Sequence, residues 1–246
     1  STAYGSFTNS GTINKLNAYT VYMQYMTPFT NDGNVNINGG TLQFAYTTFN
    51  NNANINLNTG TFDNSTGSVF NHTNTSAITG TGTFANGATL NIPVNLTFVS
   101  GVTFNNTGTV DGTGNLLTNG PFNWSAGIIS GIGGINTANN ATWTGGTLQR
   151  TFTIGSGQTL TLGGTGGYCY ISTGGVLQNQ GTTNWGNGYI YWQGTNPSIN
   201  NSGVFNIDNA GYGIYYSTAY GSFTNTGTIN KLNAYTVYMQ YMTPFT

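Results

Sequence analysis

Residues 1–30 read STAYGSFTNSGTINKLNAYTVYMQYMTPFT, and residues 217–246 read STAYGSFTNTGTINKLNAYTVYMQYMTPFT. The two stretches differ only at Ser10, whose counterpart is Thr226. Self-similarity at a fixed offset is typical of tandem duplication, and here position 217 repeats position 1. We therefore predict that residues 1–216 form one tandem repeat unit. Residues 217–246 should begin the next unit and follow the path of residues 1–30 one unit further along.

A shorter repeat lies within the long one. An aromatic or aliphatic residue is followed two positions later by Asn, or once by His, and then by turn-forming residues. In the regular parts of the chain, neighbouring copies start about 20 residues apart, which is the size of one β-helix turn. A unit should therefore contain roughly 10 to 11 turns. The copies are FTNSG at 7–11, FTNDG at 29–33, FNNNA at 49–53, FNHTN at 70–74, FNNTG at 104–108, LQNQG at 177–181, INNSG at 199–203 and FTNTG at 223–227.

Between the turn residues, apolar and polar side chains alternate, as in VNIN at 35–38 and TLTL at 159–162. This period of two is typical of a strand with one buried face. Glu is absent and Lys plus Arg number only 3, so good helix formers are scarce. The sequence therefore predicts an all-β fold, a β-solenoid of parallel strands. In the middle of the chain, residues 112–175, the pattern is too irregular to define the turns.

Only 3% of the residues are charged, whereas about 25% is usual in soluble proteins. Stacked strands place like side chains in rows, where charges repel and Asn or Thr can hydrogen-bond, so a solenoid favours this composition. The chain has no basic patch for nucleic acid. It also has no apolar run of the roughly 20 residues that a membrane-spanning helix needs, so we expect no membrane insertion of this segment.

Catalytic, cofactor-binding and metal-binding residues are not predicted. A glycosidase needs two carboxyl groups within roughly 10 Å, and the four aspartates are widely separated in sequence, at positions 32, 63, 111 and 208. His72 has no second His and no nearby Cys or carboxylate in sequence, and we expect it to take the place of an Asn in a ladder. Cys169, the single cysteine, is expected to be a small buried residue.

Tyrosines recur at intervals close to one turn and form the candidate site. Alternation places two of them opposite Cys169 and two opposite Ile190, so they should face outward if those residues face inward. Such a ladder either stiffens the solenoid by ring stacking or forms an apolar strip that binds glycans or a neighbouring filament. Four tryptophans could extend a glycan platform: Trp124, Trp143, Trp185 and Trp192. The ladder residues are Tyr168, Tyr170, Tyr189, Tyr191, Tyr212 and Tyr235.

The FxNxGTxN and GGTLxF phrasing, as in FTNSGTIN at 7–14 and GGTLQF at 39–44, resembles the repetitive regions of bacterial surface adhesins. These are the filamentous-haemagglutinin and autotransporter type, and the resemblance implies a right-handed parallel β-helix. It covers most of the chain, but it rests on composition and period and assigns no functional residues.

We therefore expect a non-enzymatic structural or adhesive filament protein at the surface of a prokaryotic cell or outside it. Its partners would be other units of itself, stacked head to tail or side by side, and glycans or cell surfaces. The alternative is a carbohydrate-binding β-helix that uses the tyrosines and tryptophans. Ice binding would need sustained Thr-x-Thr rows, and the Thr pairs of this chain cluster in its middle.

Overall fold

The computed structural model describes residues 4–245, and every element in them is a β-strand. The strands form parallel sheets stacked as a β-solenoid, with about 11 turns spaced about 21 residues apart. This confirms the predicted fold class and the predicted number of turns. The chain divides into two compact parts, Ser1–Pro121 and Phe122–Thr246. They are called the first unit and the second unit below, and they differ from the tandem repeat unit of residues 1–216. Among the described residues, no helix is long and apolar enough to cross a membrane.

The first unit has three parallel sheets, and each turn contributes one strand to each of them. Sheet 1A contains β1 (Gly5–Asn9), β4 (Met26–Asn31), β7 (Thr48–Asn51), β10 (Val69–His72), β13 (Thr89–Asn91) and β16 (Thr109–Asp111). Sheet 1B contains β2 (Thr12–Lys15), β5 (Asn34–Ile37), β8 (Ile55–Leu57), β11 (Ile78–Gly80), β14 (Leu96–Phe98) and β17 (Leu116–Thr118). Sheet 1C contains β3 (Thr20–Gln24), β6 (Thr41–Ala45), β9 (Thr61–Asn64), β12 (Thr83–Asn86) and β15 (Thr103–Asn106).

The second unit is built in the same way. Sheet 2A contains β19 (Ile128–Ile129), β22 (Gly146–Leu148), β25 (Tyr168–Ile171), β28 (Tyr189–Trp192), β31 (Gly213–Tyr216) and β34 (Tyr238–Met239). Sheet 2B contains β20 (Ile135–Thr137), β23 (Thr151–Ile154), β26 (Val176–Asn179), β29 (Ser198–Asn201), β32 (Gly221–Asn225) and β35 (Met242–Phe245). Sheet 2C contains β18 (Phe122–Trp124), β21 (Ala141–Trp143), β24 (Thr159–Leu162), β27 (Thr182–Trp185), β30 (Val204–Ile207) and β33 (Thr228–Lys231).

The core of the first unit is a pair of phenylalanine stacks. In sheet 1A, Phe49 and Phe70 are in register and their ring centroids lie 5.1 Å apart at an angle of 9°. In sheet 1C, Phe62 and Phe84 stack at 5.0 Å and 4°. Between the sheets the rings meet edge to face, as Phe70 and Phe84 do at 87°. In-register pairing thus converts the short sequence repeat into continuous aromatic rows.

The aromatic-x-Asn-x-Gly repeat marks a corner of the turn. The aromatic residue and the Asn both point inward, as Phe29 and Asn31 do, and the chain bends immediately after them. The Gly that ends the motif is required by close approach: a Cβ on Gly33 would lie 2.1 Å from the carbonyl oxygen of Gly11 in the neighbouring turn. The motif therefore couples a core residue, a buried amide and a tight corner in a single short segment.

The inward asparagines form hydrogen-bonded ladders. The Nδ2 of Asn9 donates to Oδ1 of Asn31 at 2.7 Å, and Asn31 donates in the same way to Asn51 at 2.8 Å. The Nδ2 of Asn51 lies 3.5 Å from Nδ1 of His72, which ends the row. His72 therefore occupies an Asn ladder position, as predicted. The inner ladders are Asn9–Asn31–Asn51–His72, Asn64–Asn86–Asn106 and Asn179–Asn201–Asn225.

Two of the three cations are buried at corners. Lys15 donates from Nζ to the carbonyl oxygens of Asn17 and Gly39, at 2.5 and 3.0 Å. Arg150 donates from Nε to Gly133 and from Nη1 to Ser130. These side chains satisfy corner carbonyls that would otherwise be buried without a donor. Their charges accordingly face the backbone of the solenoid.

Candidate functional site

The tyrosine ladder lies on the outer face of sheet 2A. Register pairs Tyr168 with Tyr189, and Tyr170 with Tyr191 and then Tyr215. Cys169 and Ile190, the residues between them, are buried. Their side chains face the core, so the tyrosines point outward, as the alternation indicates. We define the tyrosine ladder as Tyr168, Tyr170, Tyr189, Tyr191, Tyr215 and Tyr238.

The rings of neighbouring turns stack on one another. The centroids of Tyr168 and Tyr189 lie 5.8 Å apart at 13°, and those of Tyr170 and Tyr191 lie 5.5 Å apart at 25°. Further along the ladder the rings are tilted, with Tyr191 and Tyr215 6.2 Å apart at 36° and Tyr215 and Tyr238 6.4 Å apart at 38°. A pyranose that stacks on an aromatic residue needs an exposed ring face. The stacked pairs turn their ring faces towards each other and are therefore less suited to such stacking.

Gly213 interrupts one row of the ladder. It pairs with Tyr238 in the position that follows Tyr189. A Cβ there would lie 2.7 Å from the ring of Tyr215, which leans over the glycine. Tyr212, just before the strand, meets Tyr189 edge to face at 4.8 Å. The missing side chain is thus replaced by two neighbouring rings, and the row remains aromatic.

Two of the predicted ladder residues differ from their expected places. Tyr212 lies in the corner before β31 and contacts the ladder from the side. Tyr235 lies in the corner before β34, where its side chain is 63% exposed. Tyr215 and Tyr238 hold the positions in register, and sequence analysis missed both. The available signal was spacing, since Tyr215 follows Tyr191, and Tyr238 follows Gly213 in the row of Tyr189, at intervals close to one turn.

The predicted tryptophan platform is wrong, because Trp124, Trp143, Trp185 and Trp192 are all fully buried. Trp124 and Trp143 stack inside the second unit at 4.6 Å and 7°. The Nε1 of Trp124 donates to the carbonyl of Ala126 at 2.7 Å, so the indole fills the core and caps a corner. For Trp192 the sequence alone predicts burial, because the alternation that turns Tyr189 and Tyr191 outward turns Trp192 inward.

A second tyrosine cluster was not predicted. Tyr4, Tyr25 and Tyr46 lie one turn apart in the sequence and stack at a corner of the first unit. The rings of Tyr25 and Tyr46 are 5.2 Å apart at 1°. Both residues have positive φ, 58° and 52°, which is strained for a side chain with a Cβ. We call this group the corner stack. Stacking and the corner geometry together hold it in place.

Two phenols of the tyrosine ladder and the thiol behind it have raised pKa values. Desolvation, followed by the neighbouring phenols, raises the pKa of Tyr191 and that of Tyr215. Burial raises the pKa of the Cys169 thiol to about 12, although a backbone hydrogen bond from Gly163 lowers it in part. Cys169 is a buried free thiol, as expected. Its low thiolate population makes it a poor nucleophile.

The aspartates contact amides. Asp63 accepts a hydrogen bond from Gln43 at 2.5 Å, and Asp32 accepts one from Asn52 at 2.7 Å. Asp111 accepts from the backbone N–H of Gly112 at 2.7 Å. In the part of the chain that the structure describes, no three His, Cys, Asp or Glu side chains form a group that could hold a metal ion.

Comparison with known proteins gives no relative. The chain matches no protein-family model, no curated protein and no solved structure at a significant level.

Proposed function

We propose that this protein is a non-enzymatic structural or adhesive filament protein of the prokaryotic cell surface, built from tandem β-solenoid units. The observation that carries the proposal is the behaviour of the two near-identical sequences. GSFTN and TINK form β1 and β2 in one copy and β32 and β33 in the other, with the same bounds. In both copies the first strand pairs with MTPF and has the same register irregularity.

The second copy indicates what packs against the first. Phe7 in β1 is 42% exposed, whereas its counterpart Phe223 in β32 is fully buried. The difference arises because Ile199 of β29 is in register with Phe223 and covers it. In the second copy, the strand that covers the first strand of the repeat therefore belongs to the turn just before the repeat. This supports units that stack end to end, each covering the start of the next.

The number of strands sets the geometry of such an array. β32 is the 31st strand after β1, and three strands make one turn. Thirty-one strands are ten turns and one further strand. In a continuous solenoid, each copy would therefore start on the sheet that follows the one on which the previous copy started. The rise would be about 50 Å per unit at about 4.8 Å per turn.

The experiment is to produce proteins with one, two and three tandem units and to measure their lengths by electron microscopy. The proposal expects rods of constant width that lengthen by about 50 Å per added unit. Rods that widen with added units, or separate beads joined by linkers, would overturn it. The surface location is tested by antibody labelling of intact cells of the source organism, and label seen only after lysis would contradict it.

The alternative of carbohydrate binding is less well supported. The tryptophans are buried, so the predicted platform keeps only its tyrosines, and the rings of Tyr168 and Tyr189 and those of Tyr170 and Tyr191 stack on one another. Binding to a glycan array that is lost on replacing Tyr168 and Tyr238, the two most exposed ladder residues, would favour this alternative over the structural proposal.

A further inference from the structure

We infer that the tyrosine ladder is a site of oxidative cross-linking, at which tyrosines of adjacent turns become joined as dityrosine. The inference rests on the ring geometry and is independent of the proposed function. Tyr168, Tyr170, Tyr189 and Tyr191 come from two neighbouring turns and face outward, and five of their six pairs have ring centroids 5.5 to 6.4 Å apart. The parallel register alone brings these side chains together, and no other residue has to move next to them.

The chemistry requires two phenols and a two-electron oxidant. Each phenol loses one electron and its hydroxyl proton, which gives a neutral tyrosyl radical with spin density on the ring carbons next to the C–O carbon. Two such carbons form a C–C bond, and each ring then moves its displaced hydrogen to the oxygen and regains aromaticity. The product is two tyrosines less two hydrogen atoms. Hydrogen peroxide, used by a haem peroxidase, accepts these electrons and protons and becomes two molecules of water.

The ladder favours the step that limits this reaction in solution, the meeting of two radicals. Tyr170 and Tyr191 are in register on adjacent strands, so their separation is fixed by backbone pairing. Their outward side chains can rotate about χ1 and χ2 to bring ring edges together without breaking the sheet. Holding reactants in this way replaces a bimolecular encounter by an intramolecular one. Cys169 and the four tryptophans, which would compete for oxidation, are buried.

The chain also contains internal controls. Tyr19, Tyr22 and Tyr235 are among the most exposed tyrosines, at 78%, 61% and 63%. None of the described ring contacts involves them. If exposure alone decided reactivity, these three would couple first, and they would do so between molecules. If ladder geometry decides it, the product forms within one molecule.

The positions of Lys15, Arg150 and Lys231 make the product easy to locate. After oxidation and denaturation, trypsin should release residues 1–15, 16–150, 151–231 and 232–246. Coupling among Tyr168, Tyr170, Tyr189 and Tyr191 lowers the mass of the 151–231 fragment by two hydrogen atoms. Coupling of Tyr215 with Tyr238 instead joins 151–231 to 232–246. Coupling in the corner stack falls in 16–150 or joins it to 1–15.

The test treats the native protein with a haem peroxidase and hydrogen peroxide and follows dityrosine fluorescence, gel mobility and tryptic masses. We expect a monomeric product, a yield per chain independent of protein concentration, and the two-hydrogen loss in the 151–231 fragment. Replacing Tyr168, Tyr170, Tyr189 and Tyr191 by Phe keeps the rings but removes the phenols, and should slow dityrosine formation in that fragment about tenfold. The matched variant with Phe at positions 19, 22 and 235 should leave it unchanged. Predominant dimers, a yield that rises with protein concentration, or a larger loss in the matched variant would overturn the inference.

Discussion

Asparagine ladders run along both faces of the strands, and they run in opposite directions. On the inner face, each Nδ2 donates to the Asn of the next turn towards the C-terminus, as Asn64 does to Asn86. On the outer face, each Nδ2 donates towards the N-terminus, as Asn91 does to Asn71 and Asn71 to Asn50. Residue type, register and spacing are the same on the two faces, so the environment of the amide decides the direction.

The inner direction is set by a second hydrogen bond. The Nδ2 of Asn86 also donates to the carbonyl of Thr109 at 3.0 Å, and that of Asn64 to the carbonyl of Thr89 at 2.8 Å. These carbonyls lie just past the next corner, so the amide nitrogen must face that way and the oxygen must face back. At the start of two of the three ladders the oxygen then lacks a donor, and Oδ1 of Asn64 and Oδ1 of Asn179 are both buried without one. At the start of the third, Oδ1 of Asn9 accepts from the backbone N–H of Gly11 at 3.2 Å. Outer amides can instead exchange these bonds with water.

The largest expected effect comes from charging the end of an inner ladder. Burial lowers the pKa of His72 to about 4 from its ordinary value of 6.5. Between these values the unfolded chain binds a proton that the folded chain does not, so the free energy of unfolding falls as pH falls from 6.5 to 4. The loss should reach about 3 kcal/mol.

The measurement for His72 is urea denaturation at several pH values in parallel with the His72→Asn variant. The variant keeps a hydrogen-bonding ladder residue but does not titrate in this range. The parent should lose stability relative to the variant on acidification. Parallel pH profiles for the two proteins would show that His72 is not the group responsible.

The second prediction compares the loss of stability when an Asn is removed from an inner ladder with the loss when one is removed from an outer ladder. Asn86→Ala leaves Oδ1 of Asn106 and the carbonyl of Thr109 without their donor in the core, which should cost about 2 to 3 kcal/mol. Asn71→Ala, in the middle of an outer ladder, should cost less than about 1 kcal/mol because water replaces the lost bonds. Denaturation midpoints of the two variants give the comparison. Equal losses would mean that burial does not distinguish the ladders.

A smaller effect is expected from the tyrosine ladder. Tyr191→Ala removes ring contacts with Tyr170 and Tyr215 and should cost about 1 kcal/mol. Tyr191→Phe keeps the ring and should change the free energy of unfolding by less than about 0.5 kcal/mol. If the Phe variant is as unstable as the Ala variant, the hydroxyl rather than the stack holds this face together.

The smallest effect should be that of salt. The amide and phenol ladders carry no net charge, and only 3% of the residues are charged. Raising sodium chloride from low to high concentration should therefore shift the free energy of unfolding by less than about 0.5 kcal/mol. Thermal denaturation at several salt concentrations measures this. A large dependence would imply a charge network that the ladders do not contain.

The sequence predicted the repeating features of this protein because they are local. Alternation assigned inward Cys169 and outward Tyr170, and the motif spacing gave the turn length and the number of turns. Because like side chains stack in rows, in which like charges would repel, the low content of charged residues follows from the fold. The tyrosine face was also identified, although Tyr235 was placed on it in error and Tyr238 was missed. Each of these inferences depends on a few neighbouring residues and on one rule, that each turn lies against a copy of itself.

Only the tertiary structure decided where the strands of each turn begin and end and which sheet each strand joins. The corners differ in length, so a motif that lies on sheet 1A at Phe70 reappears on sheet 1C at Phe84. Of this second row, sequence analysis found the copy at Phe104 and missed those at Phe62 and Phe84. Tryptophan can face either way, and Trp124 and Trp143 turned inward because their indole N–H groups reach corner carbonyls. The direction of an amide ladder depends likewise on a carbonyl that another turn supplies. These choices rest on contacts between turns, and such contacts exist only once the chain has closed its coil.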